Sequence, residues 1–329
     1  MTNRTAQTLV APLLLHVRLR AHLAIIRLDH SIKNIFVVPG ILIPLSILKV
    51  SFTRGLAKNI VIGFIAVTLI ACSNYVVNEV LDAPFDRLHP KKKSRPVAQG
   101  LVNVTIAYVQ WIVMMIAGLA LSWTISRPFT FAAAALWIMG CLYNIKPFRT
   151  KDVVYLDVLT ESINNPLRMV LGWYMVTSEL VPPLSLIVCY WMMGCYFMAL
   201  KRFSEYREIK DPFQAGAYRR SFQRYTERSL LGSALFYAST CMLFLGAFIM
   251  RYRIELILAF PLIALMMSTY FNMAFNQDSA AQNPEKLYRE PVLMIETVLT
   301  VLVIVALLCF NVPLIGRLFS PTVPMNAAW

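Results

Sequence analysis

The sequence predicts an all-α integral membrane protein, a bundle of nine transmembrane helices. Three observations carry this. Hydrophobic residues make up 58% of the 329 residues and charged residues 15%, against about 45–50% and about 25% in soluble domains. So few charges cannot cover a water-facing surface. The apolar residues come in long blocks with the charges collected between them, as in multi-pass proteins. Lysine and arginine are also partitioned unevenly between alternate connecting segments.

Nine apolar spans fall at 34–48, 58–80, 102–124, 128–145, 153–177, 181–200, 229–250, 254–275 and 292–312. Each is close to the ~20 residues a helix needs to cross ~30 Å of hydrocarbon. Helix is the expected form because open backbone in lipid is too costly. The first span is the shortest, with 15 residues between Lys33 and Lys49. The fifth carries Asp157, Glu161 and Arg168. Ahead of the first, residues 13–29 interleave Leu and Ile with Arg18, Arg20 and Arg27, the pattern of an interfacial amphipathic helix. The chain therefore divides into an N-terminal cytoplasmic or interfacial segment 1–33, a nine-helix domain 34–312 and a short non-cytoplasmic tail 313–329.

The net charge of +14 would suggest nucleic acid in a soluble protein. Here it reads as topology, and no nucleic-acid partner is expected. Segment 1–33 and the loops after spans two, four, six and eight hold 23 of the 31 basic residues. The opposite loops and the tail hold 7, and Arg168 lies inside span five. That asymmetry places the N-terminus in the cytoplasm. The six cysteines lie in apolar stretches without zinc spacing and read as small core residues. Residues 9–15 are interrupted by Pro12 and do not form a secretory signal.

Twelve of the seventeen acids fall on the cytoplasmic side. They are densest at the end of span two, where Asn78, Asp82 and Asp86 are spaced four apart, with Glu79 beside them. On a continuing helix these three project from one face over two turns, although Pro84 can kink it. Two carboxylates and an amide on one face make a hard-oxygen site of the kind Mg²⁺ shares with substrate phosphates. The alternative is an ordinary charged helix end, but acids at a helix C-terminus oppose the helix dipole. The basic run that follows, Arg87-Leu88-His89-Pro90-Lys91-Lys92-Lys93-Ser94-Arg95-Pro96, favours a metal–diphosphate site with cations for the remaining phosphate charge.

Asn78-Glu79-x-x-Asp82-x-x-x-Asp86 resembles the first aspartate-rich motif, N-D-x-x-D-x-x-x-D, of the UbiA superfamily of intramembrane prenyltransferases, with Glu79 in place of the first Asp. The continuation Asp86-Arg87-x-His89-Pro90-x-Lys92-x-x-Arg95-Pro96-x-Ala98-x-Gly100 resembles the decaprenyl-phosphate phosphoribosyltransferase branch. Arg27 and Lys33-Asn34 resemble that branch's N-terminal motif R-P-x-x-W-x-K-N, with Leu28 and Ser31 replacing Pro and Trp. Tyr143 and Lys146 fall in the short loop after span four. Lys201-Arg202-x-x-Glu205 resembles the branch's motif after span six, where aromatic prenyltransferases carry a second D-x-x-x-D. The resemblance covers about residues 27–312.

The resemblance implies a UbiA-like nine-helix fold in a bacterial cytoplasmic membrane. It also implies Mg²⁺-dependent transfer of 5-phosphoribose from phosphoribosyl diphosphate (PRPP) to a polyprenyl phosphate. Asn78, Asp82 and Asp86 would be catalytic, holding Mg²⁺ together with Glu79. Lys33, Asn34, Arg87, Lys92, Arg95, Lys146, Lys201, Arg202 and Glu205 would bind phosphate or substrate. An alternative within the superfamily is a prenyl diphosphate donor with an aromatic or other small acceptor. An alternative from another class is a secondary transporter or flippase using its intramembrane acids.

Asp157, Glu161, Asn164 or Asn165, and Arg168 are spaced to share one helical face of span five. Such a face is either functional or an internal ion-pair network, Glu161 with Arg168 or with Asp157, that holds the bundle together. Tyr75, one turn before Glu79, either contacts substrate or packs the bundle. Arg219, Arg220, Arg224 and Arg228 are read first as contacts to anionic lipid headgroups, with donor phosphate as the alternative. Oligomeric state and lipid chain length have no signal in the sequence.

Overall fold

The computed structural model describes residues 17–87, 92–209, 216, 219–277, 279–282 and 284–320, with the side chains of 284–286 excepted. His89, Pro90 and Lys91 of the basic run, and the ends of the chain, lie outside the described residues. Every regular element among the described residues is helical. Among the described residues, seven helical stretches are long and apolar enough to cross a membrane. The two expected spans outside that set, 128–145 and 153–177, are helical as well. The protein is an all-α, multi-pass membrane protein.

The α-helices are α1 (Val38–Ile47), α2 (Arg54–Asp86), α3 (Val104–Trp123), α4 (Arg127–Asn144), α5 (Leu156–Ser162), α6 (Asn164–Val176), α7 (Leu184–Ile209), α8 (Glu227–Tyr252), α9 (Phe260–Met273), α10 (Pro291–Cys309) and α11 (Pro313–Leu318). The chain forms two compact units. Among the described residues the first comprises 17–40, 52–87, 92–180, 216 and 219–225, and the second 41–51, 181–209, 226–277, 279–282 and 284–320.

In the first unit α2 packs against α3, α4 and α6. Small residues allow close approach. The Gly118 backbone meets Ile70, and a side chain on Gly140 would collide with Asn74. The Asn74 amide donates to the Leu136 carbonyl (3.0 Å) and Ser73 Oγ to the Trp111 carbonyl (2.8 Å), so polar groups on α2 are used by neighbouring helices. Gly40 and Gly172 bring α1 and α6 into backbone contact. Helix α2 is capped by Thr53, whose Oγ1 accepts from Leu56 N–H at 3.2 Å. It runs 33 residues, about 50 Å, and continues through Pro84 to Asp86.

Two expectations change. The first span is not one α-helix: Leu28–Val37 is a 3-10 segment entered through Arg27 in the left-handed region (φ 54°), and only then does α1 begin. The fifth span is broken at Ile163 into α5 and α6. Asn164 and Asn165 precede Pro166, which has no N–H to donate and sits in the first turn of α6, where no intrahelical bond is required of it.

In the second unit α7 packs along α8, and α9 along α10. Tyr196 OH donates to the Met267 carbonyl (2.8 Å), and Phe197 lies edge-on to Tyr270. Arg253 donates to the carbonyls of Leu307, Leu308 and Phe310 at 2.7, 3.0 and 3.2 Å, closing the C-terminal end of α10. All six cysteines are free.

Candidate functional site

The last three turns of α2 present Asn78, Asp82 and Asp86 to the loop that follows α4. That loop makes two left-handed turns, at Arg149 (φ 31°) and Tyr155 (φ 64°). Between them it sends two cations inward. Lys151 is buried and its ammonium, which has three donors, uses all of them: Asp82 Oδ1 at 2.5 Å, Asn144 Oδ1 at 2.8 Å and Asn78 Oδ1 at 3.2 Å. Burial pushes the Lys151 ammonium down to about 8, against the opposing pull of Asp82.

Arg149 spreads its guanidinium over three oxygens. These are Asp82 Oδ1 at 3.0 Å, Asp152 Oδ2 at 3.1 Å and the carbonyl of Asn144, the last residue of α4, at 3.2 Å. It also lies over the Phe85 ring, 5.1 Å from its centroid. The loop thus caps α4 and reaches the acids of α2 with the same side chain.

Asp86 is held by Arg95 Nη1 at 2.6 Å. Arg95 comes from the short turn after the undescribed Leu88–Lys91. Asp82, Asp86, Lys92, Arg149, Lys151 and Asp152 line one cavity of about 230 Å³. Arg219 and Arg220 complete its wall with Phe85, Gly216 and Gln223. Five cations face three carboxylates, so the cavity is suited to an anionic ligand.

The other expected residues distribute as follows. Asn78 reaches the cavity through Lys151. Glu79 turns away from Asp82 to a buried pair with Arg27 at 3.1 Å, and its second oxygen, Oε1, is buried without a hydrogen-bond partner. Tyr75 lies beneath Lys33, whose ammonium is 5.9 Å from the ring centroid, and against His30. Asn34 is buried, donates to Thr68 (2.9 Å) and accepts from Arg168 (3.3 Å). Arg87 donates to the Ala98 carbonyl at 3.2 Å. Lys146 is exposed and outside the cavity lining.

Tyr143 donates to Glu161 at 2.8 Å, and its ring lies under Lys151. Asp157, fully buried, accepts from Tyr225 (2.7 Å) and Ser221 (3.1 Å). The polar residues expected on one face of span five thus serve different neighbours, Asp157 and Glu161 within α5 and Arg168 beyond the break at Ile163. Lys201, Arg202 and Glu205 lie on α7 of the second unit, where Arg202 is buried and pairs with Glu205 at 3.0 Å.

Arg149, Lys151 and Asn144 were not singled out by the sequence, in which the two basic residues counted only toward the topology because no motif included them. The available cue was an asparagine at the last turn of α4 with two basic residues close behind. Arg219 and Arg220, read first as lipid contacts with donor phosphate as the alternative, line the cavity with Asp82. Arg224 and Arg228 are exposed.

As a cation site, the arrangement is chemically coherent. Asn78, Asp82 and Asn144 already converge on one positive charge, and Asp86 follows one turn on. These are hard-oxygen donors. Two carboxylates with phosphate oxygens as the remaining ligands is the usual Mg²⁺ arrangement. Among the described residues no group of three His, Cys, Asp or Glu side chains is close enough to hold a metal alone.

The chain resembles decaprenyl-phosphate phosphoribosyltransferase of Mycolicibacterium smegmatis, with 27% identity over 175 residues, 53% of this chain. It also resembles protoheme IX farnesyltransferase of Pseudomonas savastanoi pv. phaseolicola, with 29% identity over 154 residues, 45% of this chain. The matched segments span 52% and 51% of those relatives' own lengths. Among solved structures, a UbiA homologue from Archaeoglobus fulgidus bound to GPP and Mg²⁺ superimposes with a TM-score of 0.66. It is 20% identical and covers 88% of this chain and 100% of its own. At that identity the likeness establishes the fold. The sequence model of the UbiA prenyltransferase family matches residues 48–297, from before α2 into α10 and through the cavity. With the helical fold, the aspartates of α2 and that match in agreement, the chain belongs to the UbiA prenyltransferase family.

Proposed function

We propose that this transferase moves 5-phosphoribose from PRPP to a polyprenyl phosphate at the cytoplasmic surface of the inner membrane, with the N-terminus cytoplasmic. The observation that carries the reading is the surplus of cations. Lys92, Arg149, Lys151, Arg219 and Arg220 share one cavity with Asp82, Asp86 and Asp152. A donor bearing a diphosphate and a separate phosphate uses more cations than a prenyl diphosphate does.

In this reading Asp82 and Asp86, with Asn78, hold Mg²⁺, and the metal when bound neutralises charge on the departing diphosphate. Lys151 and Arg149 bind diphosphate oxygens from the side of α4. Lys92, Arg219 and Arg220 bind the donor's remaining phosphate charge. The bond from the anomeric carbon to diphosphate breaks, and a bond to the acceptor phosphate oxygen forms. A phosphate monoester is already a nucleophile, so no dedicated base is needed. Lys33, Asn34, Lys201, Arg202 and Glu205 keep the substrate-binding role that the family resemblance implies.

A second reading keeps the same aspartates and takes a prenyl diphosphate donor. It is favoured by the farnesyltransferase relative and by the solved homologue bound to GPP and Mg²⁺. The experiment is diphosphate release by purified protein with Mg²⁺, supplied either with PRPP and a polyprenyl phosphate or with a prenyl diphosphate and an aromatic acid. Turnover only in the first arm, lost in Asp82→Asn, supports phosphoribosyl transfer. Turnover only in the second arm replaces the donor. Silence in both arms removes both readings and leaves transport to be tested in liposomes.

A further inference from the structure

Arg219, Arg220 and Gln223 line the cavity, and the attachment of their segment, 219–225, is unusually specific. Asp157, in the first turn of α5, is fully buried. It accepts from Tyr225 OH at 2.7 Å and Ser221 Oγ at 3.1 Å, and lies 3.5 Å from Arg219 Nη1. Tyr225 OH in turn accepts the backbone N–H of Tyr155 at 2.7 Å. That N–H is presented by Tyr155 in the left-handed region (φ 64°). The two tyrosine rings meet edge to face, 5.5 Å apart, and Phe222 is buried beside them. One side of the segment is therefore sealed into the first unit.

The other side carries charge into the cavity. Arg219 and Arg220 both line it. The Arg220 side chain is 58% exposed, lies 6.0 Å from the Phe85 ring centroid and is 3.8 Å from Asp152. A short 3-10 turn, Arg220–Gln223, sets these side chains apart from the sealed ones. Long arginines on an unsupported loop would lose rotamer and backbone freedom on gripping an anion. Here the backbone beneath them is already fixed by a buried carboxylate that lies outside the cavity lining.

We infer that Asp157 is a positioning residue that, through Ser221, Tyr225 and Arg219, holds Arg219 and Arg220 in place to bind a phosphate group of the donor. The inference rests on the phosphoribosyl reading above and adds to it the device that sets donor affinity. Asp157→Asn and Tyr225→Phe raise KM for PRPP by roughly ten- to a hundredfold, with KM for the polyprenyl phosphate and kcat each changed less than about twofold.

The test is a mutant cycle against Arg219→Ala/Arg220→Ala in detergent-solubilised full-length protein, with thermal unfolding recorded for each variant. If Asp157 acts through these two arginines, adding Asp157→Asn to Arg219→Ala/Arg220→Ala makes KM for PRPP no worse than in that arginine variant alone. Additive losses, or equal rises in both KM values, overturn the inference. Tyr225→Phe decides the matter if Asp157→Asn does not fold. A donor-independent readout is limited trypsinolysis with inorganic diphosphate as the probe. In wild type, diphosphate slows cleavage after Arg219 and Arg220 relative to Arg54, and in Tyr225→Phe that protection is lost. If wild type does not turn over PRPP but shows the protection, the donor reading fails while the positioning stands. If diphosphate protects neither protein, the positioning role itself falls.

Discussion

Replacing Asp82 by asparagine separates the chemistry of the cavity from its stability, and the size of the effect follows from Lys151. The buried ammonium sits at about 8 rather than 10.5 because desolvation outweighs the attraction of Asp82. At pH 7 its protonated form is then favoured over the neutral form by roughly ten to one, or about 1 kcal/mol. If Asp82→Asn removes that attraction, Lys151 can shed its proton, so the loss through this residue is on the order of 1 kcal/mol. A buried pair unable to discharge would cost about 3–5 kcal/mol.

Arg149 cannot discharge, but it keeps Asp152 at 3.1 Å and the Asn144 carbonyl at 3.2 Å. The sign is fixed by the direction of the shift. The folded value lies below the unfolded one, so the titration of Lys151 disfavours the fold in full below pH ~8, a penalty that fades as pH rises from 8 towards the unfolded value, and Asp82 offsets part of it. As pH rises through 8 the ammonium disappears from the folded state and so does the contribution of Asp82.

The assay is thermal unfolding of wild type and Asp82→Asn in detergent with EDTA, at pH 7 and pH 9. The gap between them should contain a pH-dependent part of about 2 °C at pH 7 that is gone at pH 9. A gap that is unchanged between the two pH values would refute the reasoning, because Lys151 would not then be the group that discharges. Diphosphate release should meanwhile fall by roughly 10²–10³-fold, a loss that the modest change in stability cannot explain.

Chelation by EDTA should abolish diphosphate release and added Mg²⁺ restore it, measured by direct chromatographic separation of the released diphosphate; release that persists in EDTA would remove the metal from the mechanism. Gly172→Ala drives a methyl group onto the Val37 carbonyl and should cost about 1–3 kcal/mol in thermal unfolding. Gly232→Ala on α8 meets nothing within 4 Å and should stabilise by about 0.5–1 kcal/mol. Glu205→Ala leaves the Arg202 guanidinium buried without that carboxylate and should destabilise by about 3–5 kcal/mol, whereas Lys201→Ala should leave stability within ~0.5 kcal/mol and raise KM for a substrate.

The helical membrane fold was legible because hydropathy and charge placement depend only on local composition. Asn78, Asp82 and Asp86 were legible because four-residue spacing maps directly onto one helix face, and Pro84 did not interrupt it. Lys151 and Arg149 were not. Their burial depends on two left-handed turns in a connecting loop, and no periodicity marks a loop lysine that will meet three oxygens. Lys146, closer to Tyr143 in sequence, stays outside. Glu79 was placed with the metal ligands by its position in the family motif, but the position next to Asn78 on a helix is rotated by about 100°, which takes it to Arg27. The break at Ile163 did have a signal, Asn164-Asn165-Pro166, which is a helix start rather than a helix interior.

That break governs how changes in the site can spread. An unbroken rod from Leu156 to Val176 would be about 30 Å long, and a small tilt at the end near Asp157 would be magnified at the other. The seven residues of α5 are about 10 Å long, and α6 has its own anchors in Asn34 and in the glycine contact with α1. The floor beneath Arg219 and Arg220 can thus be re-aimed without levering the membrane-embedded half of the span. In evolutionary terms, ligand preference on this scaffold can drift by short local adjustments while the packing of the surrounding helices is inherited unchanged.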